Sequence, residues 1–186
     1  SNTVTESVKT KFRIDANTIY NPIDSDEIVR KSKEKLVLPV KTKLRFVTTG
    51  RLVEQKGYDR LLKVVRQLKK EDYDFELWIL GDGPDRKILD DYINENNLDE
   101  HVKLWGFVSN PYVYMTASDV FVCSSRSEGY STAATEAIIL GLPVITTLCS
   151  GMKELLDDNE YGIVVENEDM ALLEPMRRTI KDTTIW

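Results

Sequence analysis

Residues 120–148 read VFVCSSRSEGYSTAATEAIILGLPVITTL, and this stretch predicts the fold. The runs 120–125 and 143–148 are apolar and rich in β-branched residues, which is typical of strands covered on both faces. Between them, residues 131–140 have the composition of an apolar helix, and the Gly-Leu-Pro sequence at 141–143 ends that helix in the usual manner. A strand, a helix and a second strand in this order indicate two parallel strands joined by a helix.

The same alternation extends outward from this unit, from about residue 44 to the end of the chain. Further strand candidates lie at 44–50, 75–81, 102–107 and 162–166, and further helix candidates at 58–70, 85–96, 111–117, 152–157 and 169–181. The alternation predicts an α/β fold with an open, doubly wound, mainly parallel sheet, which is a Rossmann-like domain. Ligands of such sheets bind beyond the carboxyl ends of the strands, so the loops that follow the strands are the candidate sites.

Length and composition exclude several classes of protein. The chain has 186 residues, is 41% apolar and carries a net charge of -6 at pH 7, so it lacks the basic surface that a nucleic-acid partner requires. Cys123 and Cys149 lie in apolar, strand-like runs, which predicts buried thiols and a reducing compartment. We expect neither a signal peptide nor a transmembrane segment, because no apolar run is long enough to span a bilayer.

Residues 1–40 differ from the remainder of the chain. They are polar, with a turn signal at Asn21-Pro22 and a helical pattern near 25–35. We expect them to form a lead-in or inter-domain linker, and residues 41–186 to form the folded domain. The D-x-D sequence that begins at Asp24 can hold a metal–nucleotide in other settings. Here a turn that caps a helix is favoured, because the sequence does not follow an apolar strand.

The loop after the first strand carries two cations. It reads GRLVEQKG at 50–57, with Arg51 and Lys56 placed between glycines that allow a ligand to approach the backbone closely. The loop also opens a helix, whose N-terminus attracts anions. Arginine and lysine together suit a phosphate or diphosphate. A solvated loop with ordinary surface charges explains the same residues equally well from local sequence.

Three familiar functional motifs are absent from the sequence or incomplete in it. The GDGP sequence at 81–84 resembles the start of a dinucleotide fingerprint, but Arg86 stands in place of the third glycine, so a tight strand-to-helix turn is favoured. A P-loop is excluded, because the chain contains no G-x-x-x-x-G-K-[ST] sequence. His101 is the only histidine and is expected at the surface. A Ser-His-Asp triad or a histidine-based zinc site is therefore not favoured, because each needs histidine at the site.

The loop after the fourth strand reads SSRSEGYST at 124–132 and leads into the apolar helix. Ser131 suits the N-cap position, Gly129 permits a tight turn, and the exposed N–H groups of the turn form a second anion cradle. Glu128 in the loop and Glu136 in the helix can both face one crevice at the edge of the sheet.

Glu136 needs a partner, because ionised carboxylates are rarely buried without one. A carboxylate accepts hydrogen bonds only, so a pair of sugar hydroxyls, which donate them, would suit it. The alternative is a buried salt bridge with a cation such as Arg51 or Lys153.

Taken in chain order, the strand-end motifs form one set: Gly50-Arg51-Leu52 with Lys56-Gly57, Gly81-Asp82-Gly83-Pro84, Gly106-Phe107-Val108, Glu128-Gly129-Tyr130 with Glu136-Ala137, and Gly141-Leu142-Pro143-Val144. This ordered set resembles the C-terminal domain of group 1 (family 4) retaining glycosyltransferases. The two glutamates are similar to that family's E-x7-E motif, and the resemblance runs from about residue 44 to about 166.

The resemblance implies a GT-B architecture, in which two Rossmann-like domains face each other across a cleft. Residues 41–186 would be the C-terminal half, which binds the nucleotide-sugar. Arg51 and Lys56 would bind the donor diphosphate and act in catalysis with Glu128, which would lie beside the transferred sugar. Glu136 would accept hydrogen bonds from the ribose hydroxyls. Backbone groups would provide the other donor contacts, at Gly50, Val108, Gly129, Tyr130, Ser131 and Thr132.

The resemblance also implies the partners. The complete enzyme would transfer a sugar from a nucleotide-sugar, UDP- or GDP-linked, to an acceptor hydroxyl in polysaccharide or glycoconjugate synthesis. No cofactor and no metal are expected, because positive side chains take the place of a metal. The acceptor would bind mostly to the missing N-terminal domain, so this chain alone is expected to be inactive. The expected location is the cytoplasm, with any peripheral membrane contact made through the missing half.

Two departures from the family pattern leave the sugar open. Tyr130-Ser131 stands where Phe-Gly or Phe-Pro often follows E-G, and Gly151-Met152 where Gly-Gly is common. Other interpretations also remain open: a GT-B epimerase of nucleotide-sugars, a phosphorylase, or a non-catalytic nucleotide-binding or interaction domain with a doubly wound sheet. The last explains the alternation of strands and helices but not the ordered cation and glutamate sites.

Overall fold

The computed structural model of the protein describes residues 1–157 and 160–186. The strands are β1 (Leu44–Thr49), β2 (Phe75–Leu80), β3 (Val102–Gly106), β4 (Val120–Cys123), β5 (Val144–Thr147) and β6 (Gly162–Val165). The α-helices are α1 (Asn2–Phe12), α2 (Ser25–Ser32), α3 (Tyr58–Lys70), α4 (Arg86–Glu95), α5 (Tyr112–Thr116), α6 (Thr132–Ile139), α7 (Met152–Leu155) and α8 (Leu173–Lys181). Each strand predicted from the sequence is present within two residues of its predicted bounds.

The strands form one sheet in the order β3-β2-β1-β4-β5-β6, and neighbouring strands pair in parallel. This topology confirms the predicted α/β, doubly wound, Rossmann-like fold. The order of the strands reverses between β1 and β4. From β1, the strands β2 and β3 follow towards one edge of the sheet, whereas β4, β5 and β6 follow towards the other edge. Ligands bind at such a switch point in sheets of this type.

The core lies on both faces of the sheet, because successive side chains of a strand point to opposite faces. Phe46 packs on one face with residues of α3, α4 and α8, whereas Val47 packs on the other with residues of α5, α6 and α7. Both are fully buried. Strands covered on two sides must be apolar almost throughout, which is why the sequence pattern identified them.

A charged side chain is also buried in the second face. Arg45 is 1% exposed, and its Nε donates a hydrogen bond to Glu76 Oε1 at 2.9 Å. Its guanidinium lies 3.6 Å from the centroid of the Trp78 ring, and Trp78 Nε1 donates to Glu76 Oε2 at 2.9 Å. The carbonyl of Ala117 accepts a further bond at 2.8 Å. The buried charge is therefore matched by an anion, an aromatic face and a backbone acceptor.

The lead-in segment contains one helix that the sequence indicated and one that it did not. The pattern near 25–35 corresponds to α2, and Asp24 caps this helix by accepting a hydrogen bond from the Glu27 N–H, as predicted. Ile28 is buried where α2 packs against α5 and α6. Helix α1 was missed, although Val4, Val8 and Phe12 recur at helical spacing. The boundary placed between residues 40 and 41 stays a prediction.

The cysteines lie where the sequence predicted them, whereas His101 does not. Both cysteines are buried and free, as predicted. His101 was expected at the surface, but it is half-buried. Its ring packs on the Phe75 ring with centroids 4.9 Å apart, and its Nδ1 lies 3.0 Å from the Phe75 carbonyl oxygen. The sequence showed the acidic neighbours of His101 but not the aromatic ring that covers it.

Gly57 brings the loop after β1 against the loop after β4. Its φ is +65°, and a Cβ there would lie 2.2 Å from the carbonyl oxygen of Ser124, whereas a Cβ at Gly141, with a φ of +77°, meets nothing within 4 Å. We expect Gly57→Ala to lower the free energy of unfolding by about 2–3 kcal/mol and Gly141→Ala by about 1 kcal/mol. Alanine would be strained at both positions, because both have a left-handed backbone, but only at Gly57 would its Cβ also clash with a backbone atom. Urea denaturation of both variants checks this, and equal losses would contradict it.

Candidate functional site

Most of the predicted site residues lie on loops at the carboxyl edge of the sheet, whereas Thr132 and Glu136 lie in α6. The loop after β1 continues as a 3-10 helix at Glu54–Lys56 and turns at Gly57 into α3. The loop after β4 leads to Ser131, where α6 begins. Because β1 and β4 are neighbours in the sheet, the two loops meet at the switch point.

An ion pair joins these two loops. Lys56 Nζ donates a hydrogen bond to Glu128 Oε1 at 2.7 Å, and the two side chains are 25% and 9% exposed. Ser125 Oγ donates to the same carboxylate oxygen at 2.6 Å. The sequence singled out Lys56 and Glu128 separately as catalytic candidates, and the structure brings them into direct contact. A cation and a carboxylate thus share one small, partly buried site.

Arg51 lies on the same loop as Lys56 and lines a cavity. Its side chain is exposed and, within residues 1–157 and 160–186, makes no hydrogen bond or ion pair. The cavity has a volume of about 540 Å³ and is lined by Arg51 together with Thr49, Gly50, Leu80, Gly81, Asp82, Phe107, Val108, Ser109 and Pro111. A cavity of this volume accommodates a small organic ligand. Gly50 connects it to the ion pair, since a Cβ there would lie 3.3 Å from Lys56 Cε.

Glu136 has a tyrosine, not a cation, as its partner. Tyr112 Oη donates a hydrogen bond to Glu136 Oε1 at 2.9 Å. Among the described residues no lysine or arginine nitrogen lies within 4.0 Å of this carboxylate, so the alternative of a salt bridge with Arg51 or Lys153 is wrong. Burial raises the pKa of Glu136, and the hydrogen bond from Tyr112 partly offsets that rise. The carboxylate is therefore half-buried without a counter-charge.

The loop at 129–132 forms the N-terminus of α6. Ser131 Oγ accepts a hydrogen bond from a backbone N–H of α6 at 3.2 Å, so Ser131 is the N-cap, as predicted. The first carbonyl of the loop accepts a hydrogen bond from Ser1 Oγ at 3.1 Å. The ring of Tyr130 lies edge-on to that of Tyr20, with centroids 5.4 Å apart. Residues near the start of the chain therefore cover part of this loop.

Sequence reasoning missed a second connection between the loops. Both terminal nitrogens of Arg126 donate to the Asp59 carboxylate, each at 2.7 Å, and the guanidinium lowers the pKa of Asp59. The Arg126 N–H donates to the Gln55 carbonyl at 2.7 Å, and Gln55 Nε2 donates to the Ser127 carbonyl at 2.8 Å. In the sequence Arg126 looks like any loop charge, because its partners Gln55 and Asp59 lie about 70 residues earlier, after β1 and in α3.

The predicted residues thus fall into four groups, of which the loop at 129–132 is one. Arg51, Gly50 and Val108 line the cavity, and Lys56 and Glu128 pair beside it. Glu136 does not line the cavity. Its hydrogen-bond partner Tyr112 follows the lining residue Pro111 in the sequence. In the described part of the chain, no three histidine, cysteine, aspartate or glutamate residues are grouped so that they could hold a metal ion. No described helix is long and apolar enough to cross a membrane.

The sequence matches a known family over most of its length. Residues 29–184 match the model of the family described as Glycosyl transferases group 1. The N-acetylgalactosamine-N,N'-diacetylbacillosaminyl-diphospho-undecaprenol 4-alpha-N-acetylgalactosaminyltransferase of Campylobacter jejuni is 34% identical over 166 residues, which cover 88% of this chain and 44% of that protein. The putative colanic acid biosynthesis glycosyltransferase WcaL of Escherichia coli is 34% identical over 148 residues, 73% of this chain and 36% of that protein. The chain spans less than half the length of both relatives.

Solved structures share the fold. The crystal structure of a mutant of S. aureus TarM in complex with Fondaparinux, alpha-GlcNAc-glycerol and UDP superposes with a TM-score of 0.84. The two sequences are 20% identical, and the superposition covers 99% of this chain and 36% of the TarM chain.

Proposed function

This chain belongs to the group 1 glycosyltransferases, and we propose that it binds the nucleoside-diphosphate sugar that serves as donor in such an enzyme. The observation that carries the proposal is the Lys56–Glu128 pair at 2.7 Å, at the meeting point of two loops and beside the cavity that Arg51 lines. Cations and N–H donors suit phosphates, and carboxylates suit sugar hydroxyls. Both kinds of group are present at this one edge of the sheet.

In this proposal Arg51 and Lys56 bind the diphosphate and stabilise its departure. Negative charge builds on the phosphate oxygens as the sugar–phosphate bond breaks, so fixed cations stabilise the transition state more than the ground state. A diphosphate bound at Lys56 would meet a side chain that Glu128 already holds in place. Glu128 itself would then lie beside the transferred sugar. Side-chain cations then take the role that a metal has in other transferases, and we propose a reaction without metal or cofactor.

The remaining contacts would fix the nucleoside. Glu136 would accept hydrogen bonds from the ribose hydroxyls, and the main chain at Val108, on the cavity wall, would meet the edge of the base. The backbone at 129–132 would contact the sugar and phosphates. We propose UDP as the first nucleotide to test, because the TarM structure of the same fold contains it, and GDP as the second.

For the complete enzyme we propose a retaining GT-B glycosyltransferase. Its N-terminal half would hold most of the acceptor site, and residues 1–40 would lead from that half into the domain at 41–186. The two relatives are named for transfer to a saccharide linked to diphospho-undecaprenol and for colanic acid biosynthesis, which supports polysaccharide or glycoconjugate synthesis. We propose a cytoplasmic location, with any membrane contact made through the other half.

A thermal shift experiment tests the proposal. We expect one of UDP, GDP or ADP, at about 100 times its Kd, to stabilise the chain by about 2.7 kcal/mol, or about 5–11 °C in melting temperature. NAD serves as the negative control. Glu136→Gln should reduce this shift, because an amide is a poorer acceptor for ribose hydroxyls than a carboxylate. The matched variant Glu95→Gln alters an exposed residue of α4 and should leave the shift unchanged.

The outcomes separate the alternatives. If no nucleotide shifts either this chain or the complete enzyme, donor binding is refuted. If the complete enzyme binds a nucleotide but transfers no sugar to any acceptor, a non-catalytic binding domain is the better description. A product formed from a nucleotide-sugar without an acceptor would indicate an epimerase. Transfer by this chain alone would refute the expectation that it is inactive without the other half.

A further inference from the structure

A run of hydrogen bonds leads from α2 to Glu136 through the loop after β3. Asn110 Nδ2 donates to the Lys31 carbonyl at 3.0 Å and to Glu34 Oε2 at 2.8 Å. Asn110 Oδ1 accepts from the Tyr112 N–H at 3.2 Å, at the start of α5. Tyr112 Oη then donates to Glu136 Oε1 at 2.9 Å. The backbone of Tyr112 and its hydroxyl are thus both fixed.

The tyrosine leaves one carboxylate oxygen of Glu136 available. Its hydroxyl occupies Oε1, whereas Oε2 has no hydrogen-bond partner in the described part of the chain. The titratable and charged groups that face this contact are Tyr112 itself on α5 and, from α2, Glu27, which acts on Tyr112 electrostatically. Burial, the hydrogen bond to Glu136 and the charges of Glu136 and Glu27 raise the pKa of Tyr112 to about 12, so its hydroxyl keeps its proton and donates.

Tyr112 begins α5 directly after a loop that lines the cavity. Pro111, which precedes it, lines the cavity together with Val108 and Ser109. A carboxylate with two free oxygens rotates about its terminal bond, because the sp²–sp³ torsion is soft. A donor bound to one oxygen removes that freedom, and the other oxygen then points in a defined direction.

We propose that Tyr112 is the positioning residue of Glu136: its hydroxyl holds Oε1 and directs Oε2 towards the ribose hydroxyls of the donor. The inference rests on the proposed function, because it concerns the same nucleotide site. Tyr112 acts through Glu136 and does not touch the reacting atoms. Because a hydrogen bond to a carboxylate favours its charged form, Tyr112 also lowers the pKa of Glu136 against the rise that burial causes.

The test compares Tyr112→Phe with Tyr114→Phe. Tyr114 lies on the same helix, and its ring packs on Trp78 and Trp105 away from Glu136. The probes are UDP, GDP and ADP and, for the one that binds most tightly, its 2′,3′-dideoxy form, each titrated by calorimetry. We expect the unchanged chain to prefer the ribose form about 10–100-fold, because its site contains an acceptor for the hydroxyls. Tyr112→Phe should reduce this preference about fivefold or more, and Tyr114→Phe should leave it unchanged.

A pH titration gives an independent readout. Removing the Tyr112 hydroxyl removes the interaction that lowers the pKa of Glu136, so this pKa should rise in Tyr112→Phe. As the pH is lowered, Glu136 of Tyr112→Phe should become protonated earlier, so nucleotide binding should be lost at a higher pH than in the unchanged chain. Tyr114→Phe should keep the original pH profile. Carbon-13 NMR of the Glu136 carboxyl group, without nucleotide, measures the same rise directly.

The outcomes distinguish this inference from the function on which it rests. If Glu136→Gln weakens nucleotide binding but Tyr112→Phe changes neither the ribose preference nor the carboxyl pKa, the positioning role is refuted and donor binding stands. If neither the chain nor the complete enzyme binds any of the nucleotides, the proposed function is refuted and this inference with it.

Discussion

Lys56→Met should lower kcat of the complete enzyme about 10²–10³-fold, which is the effect of removing one group that stabilises transition-state charge. Two changes act in the same direction. The cation that would meet the leaving diphosphate is lost, and Glu128, which is 9% exposed, loses its counter-charge at 2.7 Å. An unpaired carboxylate beside the phosphates repels them. In this chain the same variant should weaken binding of UDP, or of whichever nucleoside diphosphate binds, but not of the nucleoside.

Two further variants separate these contributions. Lys63→Met removes an exposed lysine whose partner is Asp169, and it should leave kcat and nucleotide affinity unchanged. In Lys56→Met combined with Glu128→Gln, the repulsive carboxylate is also absent, so part of the lost diphosphate affinity should return. If Lys56→Met alone weakens binding of the nucleoside as much as that of the nucleoside diphosphate, the lysine does not act on the phosphates.

Arg45→Met should lower the free energy of unfolding by about 3–5 kcal/mol, because it breaks a buried ion pair and leaves one charge uncompensated. Glu76 would keep its bond from Trp78 but lose the bond from Arg45 at 2.9 Å. The guanidinium would also leave the face of Trp78 and the Ala117 carbonyl. For a chain of this length, such a loss corresponds to a fall of about 6–20 °C in melting temperature.

Differential scanning calorimetry of three variants checks this expectation. Lys87→Met breaks an exposed pair with Asp91 and should cost less than about 1 kcal/mol. Arg45→Met combined with Glu76→Met replaces both charges by apolar side chains and should recover much of the loss. If Arg45→Met is as mild as Lys87→Met, then the buried pair contributes little to stability.

The sequence predicted the sheet well, because strands covered on both faces must be apolar almost throughout. The β-branched runs at 44–50 and 120–125 are found as β1 and β4 within two residues. Helix α1 was not predicted, because its sequence is otherwise polar and contains only one apolar residue per turn. A pattern reveals an element when the element buries a whole face, and α1 does not.

The candidate site was predictable residue by residue but not contact by contact. Its cations and glutamates follow strand ends, and parallel strands end at one edge, so the sequence placed them in one region. The partner of Lys56 lies 72 residues away in sequence, and that of Glu136 lies 24 residues away. No local pattern encodes such pairings. Tyr112 was missed for this reason, since an aromatic residue in a short helix indicates core packing and not a bond to a carboxylate.

The central position of β1 affects the order in which the chain can fold. The Arg45–Glu76 pair links residues 31 apart in sequence, whereas the Lys56–Glu128 pair links residues 72 apart. Closing a longer loop costs more entropy, so β1 and β2 can associate before β4 docks on the other side of β1. During synthesis, β4 and the loop that carries Glu128 also leave the ribosome after both of those strands. The site therefore needs both halves of the sheet, because Arg51 and Lys56 follow β1 whereas Glu128 follows β4.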